Sequence, residues 1–67
     1  MEVDVDKLIN LREERVLSQR ELARMAGLTH TTVWRLEHGR EARPGTIRKV
    51  AGVLGVEPRE LLKREDN

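Results

Sequence analysis

Apolar residues recur at intervals of three and four along most of this chain, which is the spacing of an amphipathic helix. The pattern predicts no credible β-strand. The pattern predicts five helices, at about 4–15, 18–27, 29–37, 46–55 and from 58 onward, with a loop at 39–45. The predicted fold class is therefore all-α, as one small domain over residues 1–67 with a frayed tail at 64–67.

Residues that favour helix ends stand at the predicted boundaries. Asp4 or Asp6 caps the first helix, and the run from Ser18 to Glu21 matches a capping box at the start of the second. Thr29 caps the third helix, and Gly27 precedes it at a turn that favours a positive φ. Local chemistry and periodicity thus predict the same boundaries.

The predicted core is aliphatic, because the chain has one Trp and neither Phe nor Tyr. The inward positions share helical spacing and are Leu8, Ile9, Leu11, Leu22, Val33, Leu36, Ile47, Val50, Ala51, Leu54, Leu61 and Leu62. The fourth helix has the clearest inward face, since its apolar residues fall at i, i+3, i+4 and i+7. A domain of this size is expected to bury about 60% of its unfolded surface.

The stretch from 18 to 38 has the pattern of two short helices that cross closely around a tight turn. Ala23 is small at the predicted crossing, and Gly27 stands at the turn. The junction has three apolar side chains, Leu22, Val33 and Leu36. A helix-turn-helix of this kind usually lays its second helix in the major groove of DNA. The pattern therefore predicts DNA binding through the helix at 29–37.

Polar groups cover the outward face of that second helix. Arg35 can donate two hydrogen bonds to guanine O6 and N7, and Thr31 can offer a hydroxyl to a base or a methyl to thymine. His30, on the flank, is either a base or phosphate contact or an exposed side chain without a role. Trp34 also points outward, where it either lies at the groove edge or packs toward the fourth helix.

Charge is distributed unevenly, although the net charge is only +1. Residues 1–16 carry a net charge of −2 and residues 29–49 one of +3, consistent with a face turned to phosphate or with ordinary solvated surfaces. Helix N-termini and basic loop residues are the groups that suit phosphates. The predicted contacts to the DNA backbone are Gln19, Thr29, Arg40 and Arg43.

Arg12 and Glu37 are predicted to form a structural ion pair. Arg12 follows the inward Leu11, and Glu37 follows the inward Leu36. A partly buried pair between them would tie the first helix to the third and fix the attitude of the third.

Composition excludes several other classes. The chain has no Cys for disulfides or thiolate metal sites, and no apolar run or leader pattern indicates a membrane protein or export. His30 and His38 have no third metal ligand, and no nucleophile–base set or phosphate loop is present. The sequence therefore predicts no enzyme, no metal and no cofactor. A cytoplasmic protein that associates with the nucleoid when bound to DNA is expected.

The chain resembles the Cro and phage-repressor-like helix-turn-helix family, also called XRE-type. The matching segments are LR at 11–12, LSQRELA at 17–23, G at 27, TTVWRLEHG at 31–39, RP at 43–44 and VAGVLGVEPREL at 50–61. The resemblance implies a compact five-helix, lambda-repressor-like DNA-binding domain that commonly binds a palindromic operator as a dimer. Val16 stands where family members often have Gly, so we expect the chain to leave the first helix without a positive φ. Trp34 stands where polar residues are common.

The resemblance also implies roles for individual residues. Base reading falls to His30, Thr31 and Arg35. Contacts to the DNA backbone fall to Gln19, Arg40 and Arg43. The pair of Arg12 and Glu37 is implied to be internal.

The sequence thus predicts a sequence-specific, double-stranded-DNA-binding transcriptional regulator, a repressor that binds a palindromic operator. A homodimer, at least on DNA, is expected through Val56 and one of Leu61 and Leu62, because the two leucines exceed what closing so small a core needs. The alternative is a protein-interaction module or antitoxin subunit that uses the same fold to bind a partner protein. A steep salt dependence of DNA affinity would favour the first, and salt-insensitive protein binding the second.

Overall fold

The computed structural model describes residues 1–64, and the predicted all-α fold is confirmed. The elements are α1 (Val5–Glu14), α2 (Gln19–Ala26), α3 (His30–Glu37), α4 (Pro44–Leu54) and a 3-10 turn (Pro58–Leu61). The β pairing within the described residues is a single isolated antiparallel bridge between Val3 and Leu62. Apart from Arg64, the tail predicted to fray lies outside the described residues.

The predicted caps begin the first three helices. The Asp4 carboxylate accepts from the Lys7 backbone N–H at 3.2 Å and caps α1. Ser18 and Glu21 form a reciprocal capping box at the start of α2. The Thr29 hydroxyl accepts from the Thr32 N–H and begins α3. Side-chain oxygens thus satisfy N–H groups that the helices cannot pair internally.

Two predicted boundaries near the end of the chain are wrong. The fourth helix begins at Pro44 rather than near Thr46, because proline is well suited to the first helical position, where no N–H partner is available. The fifth helix is reduced to the four residues of the 3-10 turn. Its chain then becomes extended at Leu62, where the backbone pairs with the N-terminal segment instead of continuing a helix.

The chain leaves α1 through a left-handed residue, contrary to the expectation for Val16. Val16 has φ 53° and is 86% exposed. Its N–H bonds to the Glu13 carbonyl at 2.9 Å, and the next N–H, of Leu17, bonds to the Arg12 carbonyl at 3.2 Å. These two bonds form a Schellman motif, which requires a left-handed residue at this position whatever its side chain. Gly27 ends α2 in the same conformation, with φ 70°.

The core is aliphatic and joins all the elements. Its fully buried larger side chains are Leu8, Leu22, Val33, Ile47, Val50, Leu54 and Leu61. Leu11 and Leu62 are only partly buried against it. Val3 is also buried, at 4% exposed, and was not predicted, because it lies outside any helix in the segment that pairs with residues 61–63. At the start of the same segment, the backbone of Met1 forms two hydrogen bonds with the backbone of Ala42.

The conformation of Val16 leads to a stability prediction. Val16→Gly is expected to raise the free energy of unfolding by about 1 kcal/mol, because glycine removes the Cβ strain of a left-handed residue, partly offset by its greater freedom when unfolded. Urea unfolding measures the change. Val16→Ala is the matched control: it keeps the Cβ and the strain, so it should stabilise clearly less than glycine. Equal stability of the two variants would contradict a strained Val16.

Candidate nucleic-acid interface

Helices α2 and α3 pack across a buried apolar junction. Leu22 of α2 and Val33 of α3 have no exposed surface, and Leu36 is 2% exposed. Ala23 is 2% exposed, and its carbonyl accepts from the Leu28 N–H at 2.8 Å, which closes the turn between the helices. The predicted helix-turn-helix packing is therefore present, with α3 held along one side only.

The opposite side of α3 faces solvent. The exposed side chains of α3 are His30, Thr31, Trp34 and Arg35. Thr31, Trp34 and Arg35 line one shallow depression together with Arg40 and Glu41 of the following loop. The helix thus presents donors, acceptors and an apolar ring to solvent, and an α-helix is an element that a major groove admits.

Arg12 and Glu37 meet in a two-point contact behind this surface. Arg12 Nε donates to Glu37 Oε2 at 2.6 Å, and Arg12 Nη2 donates to Oε1 at 2.9 Å. The Glu37 side chain is only 2% exposed and that of Arg12 13%. The hydrogen bond to Glu37 raises the pKa of the Arg12 guanidinium above its usual value. The guanidinium also donates to the Leu17 carbonyl at 2.8 Å, so one side chain holds α1, the following turn and the end of α3.

Gln19 extends this contact toward the exposed surface. Its Nε2 donates to Glu37 Oε1 at 2.9 Å, and its Oε1 lies 3.2 Å from His30 Nε2. A continuous chain of hydrogen bonds therefore runs from Arg12 through Glu37 and Gln19 to His30. The sequence predicted the pairing of Arg12 with Glu37 but not the inward-facing bond of Gln19, because that bond depends on how α2 is placed against α3.

The basic side chains at the loop lie beside α3 and α4. Arg40 and Arg43 are exposed, and Arg43 lines a second depression with Arg35 and Glu41. Within residues 1–64, Arg35, Arg40 and Arg43 make no ion pair with an acidic side chain. Their charges are therefore available to an anion.

Two other predicted site residues are engaged locally. The Thr29 hydroxyl caps α3 and lies 2.9 Å from the Thr32 hydroxyl. The Trp34 ring stacks on His38, with ring centroids 3.7 Å apart and an angle of 17° between the planes. His38 Nδ1 lies 2.8 Å from the Trp34 carbonyl, which fixes this stack at the end of α3. Trp34 stays 41% exposed, so its second face is open beside Thr31 and Arg35.

A sequence profile of the helix-turn-helix family matches residues 8–61, which span α1 to the 3-10 turn. The chain belongs to the XRE-type helix-turn-helix family. It is accordingly a DNA-binding regulator in the general sense of that family. No curated protein matches the chain significantly. Over residues 1–64, the helices are too short or too polar for any of them to cross a lipid bilayer.

The helix-turn-helix domain offers less apolar surface for dimerisation than its sequence predicts. Leu61 is 1% exposed and lies in the core, so it has no surface to present to a second subunit. Of the two leucines, Leu62 is therefore the candidate dimer contact. Val56 and Leu62 are partly buried and pack against the core while keeping some exposure.

The buried ion pair of the helix-turn-helix domain leads to a second stability prediction. Glu37→Gln leaves the Arg12 guanidinium poorly compensated, and losing one partner of such a pair costs about 3–5 kcal/mol. The loss is measured by urea or thermal unfolding. The matched control is the exposed pair of Lys7 and Glu60, 3.6 Å apart: Lys7→Met should cost less than about 1 kcal/mol. Similar losses of unfolding free energy in both variants would show that the buried pair stabilises the fold no more than the exposed pair does.

Proposed function

We propose that this protein is a sequence-specific, double-stranded-DNA-binding transcriptional regulator that represses by occupying a near-palindromic operator. The observation that carries the proposal is the division of α3. Val33 and Leu36 are buried against the rest of the domain, whereas Thr31 and Arg35 are exposed on the opposite side. A helix of this construction can enter the major groove without exposing its apolar side.

The base-reading role is assigned to His30, Thr31 and Arg35. Arg35 supports it most directly, because its guanidinium is exposed, makes no ion pair within residues 1–64 and can donate to both guanine O6 and N7. Thr31 lies beside it and carries a hydroxyl and a methyl group. Trp34 is assigned to the groove edge, where its open ring face can contact thymine methyls.

The backbone-contacting role is assigned to Arg40 and Arg43, with the N-terminal turns of α2 and α3 at Gln19 and Thr29. The two arginines flank the exposed face of α3, so they reach phosphates when α3 lies in the groove. Gln19 contributes through its backbone N–H at the start of α2, because its side-chain amide is already bonded to Glu37 and His30.

The protein is proposed to bind as a homodimer through the region of Val56 and Leu62. A two-fold pair of subunits would place its two α3 helices about 34 Å apart, one turn of DNA. The small exposed surface at these residues predicts weak association without DNA, so the operator supplies most of the dimerisation energy. Binding stoichiometry on full and half sites, measured by sedimentation, decides between two subunits and one.

Selection of bound duplexes from a random DNA pool tests the proposal as a whole. The expected result is one enriched motif made of two related half-sites about one helical turn apart. Enrichment of a single unrepeated half-site would contradict binding as a homodimer. No enrichment, together with salt-insensitive capture of a protein partner, would replace DNA reading by the protein-interaction alternative.

Substitutions on α3 should change sequence preference rather than general affinity. Arg35→Ala and Thr31→Ala are each expected to lose about 1–3 kcal/mol of discrimination at one base position, because each removes a direct base contact. Titration of the selected duplex and a scrambled duplex measures the loss. Asn10→Ala is the control: it changes an exposed residue of α1 to which no DNA contact is assigned, so it should leave affinity for both duplexes unchanged. An equal loss on both duplexes would assign these side chains to the DNA backbone.

Substitutions in the loop should do the opposite. Arg40→Ala and Arg43→Ala are each expected to weaken binding to all duplexes similarly and to reduce the slope of log affinity against log salt by about 1. Arg59→Ala removes the same charge at the 3-10 turn, away from α3, and should leave that slope unchanged. A slope that Arg43→Ala does not alter would place its side chain in solvent.

A further inference from the structure

We propose that Val3 is a positioning residue for DNA binding. As the buried side chain of the N-terminal segment (residues 1–4), it holds the basic loop (residues 39–43) where Arg40 and Arg43 reach phosphates. The inference rests on the proposed function and adds a residue outside the helix-turn-helix on which the backbone contacts depend. Val3 itself is assigned no contact with DNA and acts through the loop.

The basic loop has few anchors of its own. At its two ends, the Arg40 N–H and the Arg43 carbonyl form the hydrogen bonds that close α3 and open α4. Between those two points, and within residues 1–64, the loop backbone is bonded only to Met1. The Ala42 N–H donates to the Met1 carbonyl at 3.0 Å, and the Met1 nitrogen donates to the Ala42 carbonyl at 2.9 Å. The position of the loop therefore depends on the N-terminal segment.

The N-terminal segment is held on its other side by the chain around the end of the 3-10 turn. The Asp4 N–H donates to the Leu61 carbonyl at 2.8 Å, and the Lys63 N–H donates to the Glu2 carbonyl at 2.9 Å. Val3 lies between these two bonds, and its side chain, 4% exposed, joins the aliphatic core. Burial of Val3 thus fixes the segment that anchors the loop.

The two arginines of the basic loop depend on that anchor. Arg40 and Arg43 are exposed and make no ion pair with an acidic side chain within residues 1–64. Ala42, the anchored residue, lies between them along the chain and is 6% exposed. A loop that is ordered before binding avoids the entropic cost of being ordered on the DNA. Because phosphate contacts are independent of sequence, loss of this order should weaken binding to every duplex alike.

Val3→Ala tests the inference on DNA. It is expected to weaken binding to the selected and the scrambled duplex alike by about three- to tenfold, because the loop must then be ordered on binding. Val50→Ala is the matched control: it removes the same groups from a fully buried position of α4, so a loss that reflects lower stability alone would appear there as well. Affinities are compared where urea unfolding shows each variant to be folded. Val3→Thr, which keeps the side-chain shape but buries a hydroxyl, serves if Val3→Ala does not fold.

The decisive measurement repeats the substitution in a protein that lacks the two arginines. If Val3 acts through them, Val3→Ala should change affinity by less than about twofold when Arg40→Ala and Arg43→Ala are already present. An undiminished loss in that background, parent affinity in Val3→Ala alone, or an equal loss in Val50→Ala would overturn the inference.

Hydrogen exchange of the free protein separates this inference from the proposed function. The Ala42 N–H should exchange at least about threefold faster in Val3→Ala than in Val50→Ala, because its bond to Met1 opens while the rest of the fold stays closed. Equal exchange in the two variants would overturn the anchoring of the loop, whatever DNA the protein binds. Faster exchange in a protein that selects no DNA would overturn the positioning role together with the proposed function.

Discussion

The contact between Arg12 and Glu37 holds the three N-terminal helices in one arrangement. A carboxylate that is 2% exposed is stable in the folded chain only if its charge is compensated and its oxygens are bonded. Here the guanidinium supplies two of the bonds and the Gln19 amide a third. Because Arg12 lies on α1, Gln19 on α2 and Glu37 on α3, satisfying this one carboxylate fixes all three helices.

The exposed surface depends on that arrangement. Glu37 ends α3, and the apolar junction with α2 holds the middle of the same helix, so its outward face cannot rotate independently of the domain. Thr31 and Arg35 are therefore presented at fixed positions, which a reader of base edges requires. The cost is that the side-chain amide of Gln19 is bonded to Glu37 and His30, so the proposed phosphate contacts fall to the exposed arginines and the helix ends.

Local features of the sequence were sufficient to predict most of the fold. Ser18 with Glu21, and Thr29 with the residues after it, determine where α2 and α3 begin through bonds within one turn. Helical spacing identified the buried face of α4, and the pairing of Arg12 with Glu37 followed from their positions beside inward leucines. The caps and the buried face of α4 depend on residues close in sequence or on one face of a helix. The ion pair joins two helices, and the signal for it is that each charged residue follows an inward leucine.

The features that were not predicted depend on backbone geometry or on distant segments. Val16 adopts a positive φ because the Schellman bonds to Arg12 and Glu13 outweigh the preference of a β-branched residue. Val3 is buried because its segment pairs with the chain after the 3-10 turn, a contact between opposite ends of the described chain. The inward bonds of Gln19 require the final packing of α2 on α3. Side-chain pattern does not specify the φ of Val16 or the bonds of Gln19, whereas the alternation of apolar and polar residues over 1–6 is a signal for the extended segment that buries Val3.

We propose α3, held from behind by the ion pair, as the DNA-reading surface. Titrating the selected duplex into nitrogen-15-labelled protein and mapping the amide shift changes tests it most directly. We expect the largest changes in the first turn of α2, along residues 29–35 and in the loop at 40–43. Changes concentrated at residues 56–62, with α3 unaffected, would contradict it.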